Sequence, residues 1–482
     1  MTKLNRSIVK TKKYKERVLQ FGEGNFLRAF SDWMIQEMNE KADFNAGVVV
    51  VQPIEDGLID LLNEQDGLYT LYLNGIKNGQ AISEKYLIDC IQRGINPYAQ
   101  PETFMAISEN PDLRFVISNT TEAGISFLET DKLEDRPQKS FPGKLTALLF
   151  KRYTAFQGDP SKGLIVIPCE LIDRNGDNLK KYILKYIELW DMSNDFKDWV
   201  LSNSIFCNTL VDRIVPGYPK DKIESINKDL GYKDQLVVEG EQFHLWVIEA
   251  PKEVKAEFPS EACGLNVIFT DNMEPYRTRK VRILNGAHTT LVPVGYLYGI
   301  DSVRESLEDE VVGLFLEQAV SQNICPTLDL PEEELSQFTN DVMDRFRNPY
   351  LHHELMSISL NSISKFKTRV LPSVLEFIIR NKQLPSHLLF SLASLIYFYK
   401  GDRDGSHINL KDDPEVLQFF KEVWLSDDIF EIAQKVLSKI DFWDMDLNQI
   451  NGLTEEVNNH LKSINRIGMK KALQHFNSTH QN

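Results

Sequence analysis

The run R-V-L-Q-F-G-E-G, residues 17–24, constrains the fold more than any other stretch of the chain. Its first five residues read as a short buried strand and Gly22-Glu23-Gly24 as a tight turn. Phe26, Ala29, Phe30, Trp33 and Met34 then recur at helical spacing to about Met38. Strand, glycine turn and helix in that order suit the pyrophosphate of a dinucleotide, because glycines let the backbone approach and a helix N-terminus offers free N–H groups. The pattern is partial: Leu27 stands where G-x-G-x-x-G has its third glycine. From these residues alone, the tight turn of any α/β protein reads equally well.

Further strands follow at 47–51 (G-V-V-V-V), 113–118 (L-R-F-V-I-S) and 163–169 (G-L-I-V-I-P-C). Their continuous apolar character argues for parallel strands buried on both faces. Ligands of such sheets bind at the carboxyl ends of the strands, so the turns 119–124 and 170–176 should border the crevice. Any single residue there is more often part of an ordinary connection. At the end of the second strand an acidic residue selects NAD and an arginine admits NADP. Here Gln52 is followed by Glu55 and Asp56 and by no basic residue, which leans toward NAD.

From Asn203 the pattern becomes mixed strands and loops, expected to extend the sheet as far as a boundary between Asp271 and Met273. The division expected is 1–272, an α/β Rossmann-like domain, and 273–482, a mostly helical domain. The helical part opens on K-V-R-I-L-N-G-A-H, residues 280–288. At about 100° per residue, Lys280, Asn285 and His288 fall within roughly 140° of arc, so one helix side presents an amine, a carboxamide and an imidazole. Val281, Leu284 and Leu291 crowd that side, and desolvation lowers the pKa of a lysine toward the range of acid–base work. Spacing alone favours a plainer reading, with a solvated lysine, a kink at Asn285-Gly286 and a core histidine.

At 482 residues the chain is too long for one ordinary core, which suggests two large domains. A net charge of -16 makes general attraction to nucleic acid or to acidic membranes unlikely in kind, so an anionic ligand would need a local basic pocket. Cys90, Cys169, Cys207, Cys263 and Cys325 are odd in number and far apart, and read as reduced cytoplasmic thiols. The N-terminus lacks the apolar run of a signal peptide, and the most apolar segment, 388–399, reads as a buried helix. His352-His353-Glu354 is the one dense cluster of ligand types, and adjacent helical residues point about 100° apart, so no metal is expected. The expected partner is a small molecule, and the expected state a monomer or small homo-oligomer.

Six motifs occur in order: L-Q-F-G-E-G-N-F-L-R-A-F (19–30), S-N-T-T-E-A-G (118–124), F-P-G-K-L-T-A-L-L (141–149), V-D-R-I (211–214), K-V-R-I-L-N-G-A-H (280–288) and S-I-S-K-F-K-T-R-V-L-P-S (362–373). Together they resemble the mannitol dehydrogenase family, long-chain and metal-independent polyol and hexuronate dehydrogenases. The resemblance implies an NAD site at Gly22, Gly24, Asn25, Phe26, Gln52, Thr121 and Glu122. It implies Lys280 as general acid/base, Asn285 as a holder of the reacting oxygen, His288 as an orienting partner, and Asp212 and Lys365 on the substrate side. Sugar-alcohol members carry C-D-N after the strand; here P-C-E-L-I resembles the uronate-reducing branch and leaves Leu171 where a second oxygen holder is expected. That implies NADH-dependent reduction of D-tagaturonate to D-altronate in hexuronate breakdown. The alternatives are fructuronate to mannonate, fructose to mannitol, and, in a different class, an NAD-binding sensor without catalysis. Lys365 is the expected carboxylate partner, Lys367 and Arg369 read as surface charges, and Ser357 stands where the family has a substrate arginine.

Overall fold

The structure, a computed structural model, describes residues 1–480 apart from 78, 122 and 404. The chain divides into two compact units, one of Met1–Asn74 with Ile82–Met273 and the other of Gly75–Ala81 with Glu274–Asn482.

The first unit is built on six strands: β1 (Lys15–Phe21), β2 (Ala46–Val51), β3 (Ile91–Ile95), β4 (Phe115–Ser118), β5 (Ile165–Pro168) and β6 (Ile205–Phe206). They lie in the order 3-2-1-4-5-6, and every neighbouring pair is parallel. This is the doubly wound order, with its switch point between β1 and β4. Period-two alternation divides the core. Val18, Val48, Val50, Ile117 and Ile167 feed one apolar cluster, with Trp33 and Met38 of the helix Ser31–Lys41. Leu19, Val49, Val51, Val116 and Val166 feed the other, with Leu145 and Leu148 of the helix Phe141–Ala155. Each such side chain contributes about 1.5–3 kcal/mol on burial.

Two features differ from the sequence reading. β3, I-Q-R-G-I, was not among the expected strands; between it and β2 come Tyr69–Lys77 and Gln80–Ile88, which form a separate three-stranded sheet with Val238–Glu241. The segment after Asn203 extends the main sheet only through the two residues of β6. Asn208–Asp212, Leu245–Glu249 and Val267–Thr270 make a third sheet. The chain leaves the ladder because the carboxamide of Asn175 takes the place of a continuing strand, accepting from the N–H of Thr209 (2.9 Å) and donating to the carbonyl of Pro168 (3.0 Å).

Beyond the strand ends within Gly75–Ala81, the second unit is helical among its described residues, save a small hairpin at Asp402–Arg403 and Ser406–His407. Its centre is the helix Ser386–Phe398, which packs against Gly286–Tyr298 and Leu453–Ile467. Leu388, Leu389, Leu392 and Leu395 of that helix are buried inside the unit. Among the described residues no helix is long and apolar enough to cross a membrane.

Candidate active site

In the first unit, the expected cofactor residues other than Glu122 follow the carboxyl ends of β1, β2 and β4. Gly22 follows β1 with φ +120°, and its N–H donates to Val51 at 3.0 Å. A Cβ at Gly22 would stand 2.8 Å from the carbonyl oxygen of Asn119, so only glycine closes this turn. A Cβ at Gly24 would meet nothing within 4 Å, which leaves open space beside the backbone there. The side chain of Asn25 accepts from Nη2 of Arg28 (2.7 Å), and Phe26 stacks on Phe30 with ring centres 4.9 Å apart. Gln52 is buried and donates to the carbonyls of Ile54 (2.9 Å) and Glu55 (2.6 Å), holding the loop after β2. Thr121 is exposed with φ +74°. Glu122 lies outside the described residues.

Leu27 explains why the third glycine of the motif is dispensable. That glycine normally allows close packing of helix on strand. Here the first helix, Asn25–Arg28, lasts four residues; the chain turns at Ala29-Phe30 and starts again at Ser31, so Leu27 sits buried behind the glycine turn. The open backbone at Gly24 and the glycine-only turn at Gly22 suit the close approach of a dinucleotide pyrophosphate.

Glu170, read in the sequence as the start of a turn and as part of P-C-E-L-I, ties the tips of β4 and β5. Its buried carboxylate accepts from the N–H and hydroxyl of Thr120 (both 2.9 Å) and the hydroxyl of Ser118 (3.0 Å). Burial raises its pKa, opposed chiefly by the bond from Thr120. Leu171, beside it, is 65% exposed and brings no polar group to this edge. Asp212 ends the strand Asn208–Asp212, buried and paired in register with Leu245.

In the second unit, Lys280, Asn285 and His288 lie along one continuous helical run, but not on the regular helix expected. Residues Lys280–Asn285 form a π-helical turn between the α-helices Glu274–Arg279 and Gly286–Tyr298. The N–H of Gly286 reaches back five residues to the carbonyl of Val281. Bonding of i to i+5 widens the turn, which narrows the angle around the axis between Lys280 and Asn285 relative to α winding. The winding persists because packing supports it. Gly286 lets the chain of Arg369 approach, with a Cβ there only 3.3 Å from the Arg369 carbonyl, and the hydroxyl of Thr289 donates to the carbonyl of Asn285 (2.9 Å). Lys280 and Asn285 are each half-buried.

His288 stacks on Phe346 (ring centres 4.1 Å, 26° between planes) and meets His353 edge-on (5.1 Å). Its Nε2 is enclosed and has no hydrogen-bond partner among the described residues. Burial first, then His353, Arg345, Arg369 and Lys365, hold its pKa well below 6.5, so the imidazole is neutral. Lys365 and Arg369 come from the helix Ser362–Arg369. The amine of Lys365 donates to the carbonyl of Ile358 (2.7 Å), and burial with Arg369 alongside lowers its pKa. Lys367 points elsewhere, to Asp444 (2.8 Å). Arg369, expected as a surface charge, is half-buried within this cluster. His352 is largely exposed beside Glu354, apart from His353, and no group of three or more His, Cys, Asp or Glu among the described residues is placed to hold a metal ion.

The chain is an oxidoreductase that works on CH–OH groups with a nicotinamide cofactor, and a glycine turn in a doubly wound sheet is the part of it that suits such a cofactor. The mannitol dehydrogenase Rossmann domain matches residues 16–261 and the mannitol dehydrogenase C-terminal domain residues 272–465; the chain is a member of the mannitol dehydrogenase family. It is similar to the altronate oxidoreductase of Bacillus subtilis, 50% identical over 479 residues that cover 99% of this chain and 98% of the relative. That of Phocaeicola vulgatus is 49% identical over 476 residues, 98% of this chain and 99% of the relative. A D-sorbitol dehydrogenase crystallised in substrate-free form shares the fold, with a TM-score of 0.78 at 23% identity over 95% of each chain.

Proposed function

We propose that this protein is an NADH-dependent reductase interconverting D-tagaturonate and D-altronate in the cytoplasm, as a step in hexuronate breakdown. Two relatives named altronate oxidoreductase, similar along nearly their whole length, support the substrate. The observation that carries the chemistry is the π turn that carries a half-buried Lys280 and Asn285 into the helix of the neutral His288. The first unit takes the dinucleotide, with the pyrophosphate against 22–26 and the ribose near Gln52, Thr121 and Glu122. The second unit, with Lys280, Asn285, His288 and Lys365, takes the sugar acid. Gln52, committed to its own loop and followed by acidic residues, supports NAD over NADP.

When bound, the nicotinamide supplies or accepts the hydride. As hydride reaches the ketone carbon, negative charge grows on the oxygen. Lys280 as ammonium donates the proton that completes the hydroxyl, and the N–H of the Asn285 amide stabilises the charge, a donor worth about 3–4 kcal/mol in the transition state. His288, uncharged, orients the hydroxyl without competing for its charge. In the oxidative direction the Lys280 amine takes the proton back.

The test is NADH oxidation at neutral pH with chelator present, on tagaturonate, fructuronate and fructose, for wild type and Lys280→Ala. Tagaturonate should turn over fastest, and the variant should lose about 100- to 10,000-fold in kcat while NADH still binds. Preference for fructuronate or fructose would overturn the substrate, and an unimpaired variant the role of Lys280.

A further inference from the structure

We propose that Arg369 recognises the carboxylate of the substrate and, with Lys365, sets selectivity for a uronate over a neutral ketose; this rests on the uronate reading above. The two residues are four apart on the helix Ser362–Arg369 and therefore share a face. Like charges at that spacing repel, and both are partly withdrawn from water. Such a pair persists where an anion is meant to sit between its members.

Several arginines of the second unit take acids: Arg347 pairs with Glu317, Arg380 with Asp329 and Glu376, and Arg403 with Asp301, while Arg282 donates to the hydroxyl of Ser373. The side chain of Arg369 has no hydrogen bond or ion pair among the described residues, and burial lowers its pKa with no carboxylate to offset it. The acid that faces Lys365 is Asp412, and that carboxylate receives the hydroxyl of Tyr399. Lys365 spends one N–H on Ile358 and keeps two. The neutral imidazole of His288 lies within electrostatic reach of both cations and of Arg345, with Phe346 and His353 packed against its ring.

Position completes the argument. The carbonyl of Arg369 lies against Gly286, so the end of its helix rests on the start of the helix that carries His288. A six-carbon keto acid has its ketone and its carboxylate at opposite ends, and the same unit offers a proton donor for one and a planar cation for the other. Guanidinium matches carboxylate with two parallel N–H donors, a geometry that an ammonium lacks.

The experiment compares wild type, Arg369→Met and Arg369→Lys on tagaturonate and on D-tagatose, which has a hydroxymethyl group in place of the carboxylate. Arg369→Met should raise KM for tagaturonate by about 10- to 100-fold with kcat little changed, and collapse the tagaturonate/tagatose selectivity by the same factor. Arg369→Lys should restore part of that selectivity, since charge returns without the fork. An unchanged KM for tagaturonate, or a loss that falls equally on both substrates and so marks a structural role, would overturn the assignment. If wild type instead prefers fructuronate, the tagaturonate reading falls while the same variants on fructuronate still decide Arg369. A wild type that favours ketoses over both uronates overturns both.

Discussion

Asp32 should make the first unit less stable as pH rises, and Asp32→Asn should remove that penalty. The residue sits in the first turn of the helix Ser31–Lys41 and is fully buried. Its Oδ1 has no partner among the described residues, and Oδ2 lies at long range from the Tyr69 hydroxyl (3.2 Å) and the Gln20 amide (3.4 Å). The single hydroxyl proton of Tyr69 is already aimed at the carbonyl of Arg28 (2.7 Å), so the contact with Oδ2 is best made when Asp32 itself carries the proton. Burial accordingly lifts its pKa from 3.8 to about 7, against smaller opposing effects of Gln20, Tyr69 and Arg28. Below pH 4 both folded and unfolded states hold the proton and no penalty exists. Between 4 and 7 the unfolded chain ionises while the folded one does not, so stability falls by about 1.36 kcal/mol per pH unit. Above 7 the loss levels off on the order of 4 kcal/mol. An asparagine donates to the Tyr69 oxygen as the protonated acid does. Urea unfolding of wild type and Asp32→Asn at pH 4 and pH 8, followed by tryptophan fluorescence, should therefore show near-equal stability at pH 4 and a variant more stable by roughly 2–4 kcal/mol at pH 8. A difference that does not grow with pH would refute the argument.

Gly22→Ala places a side chain in a left-handed conformation and 2.8 Å from the Asn119 carbonyl, so it should cost about 2 kcal/mol or more and weaken NADH binding. Fluorescence titration with NADH and a thermal melt read this directly, and a wild-type affinity and Tm would defeat it. Thr289→Val keeps shape but removes the hydroxyl that satisfies the Asn285 carbonyl at the π turn, and should cost about 1 kcal/mol in urea with a fall in kcat. Unchanged stability and kcat would mean that the winding does not depend on that bond.

Four strands of the main sheet were legible because parallel strands buried on both faces are written as unbroken apolar runs. β3 was not, since Gln92, Arg93 and Gly94 interrupt it; Arg93 pairs with Glu16 at the sheet's edge, where a polar side chain costs nothing. The departure of the chain after β6 depends on the side chain of Asn175, some thirty positions earlier, and no local pattern reports such a contact. Lys280, Asn285 and His288 were singled out by spacing, but a helical period does not distinguish a bond to i−5 from one to i−4, and the winding between Lys280 and Asn285 is π and not the α-helix expected. Arg369 was grouped with Lys367 by nearness in sequence. The i, i+4 relation to Lys365 was there to be read and separates the two, since Lys367 faces Asp444.

A π turn fits one more residue into a helix than α winding would over the same rise, so the segment between Lys280 and Gly286 carries a surplus position. The constraint this sets is on count, not on letter. Substitutions within V-R-I-L alter packing while the winding survives, whereas deleting one residue would restore α pitch and swing Lys280 about 100° around the axis relative to Asn285 and His288. Diverging copies of this chain can therefore drift in spelling here but not in length, and an alignment that opens a gap between those two residues has misplaced it.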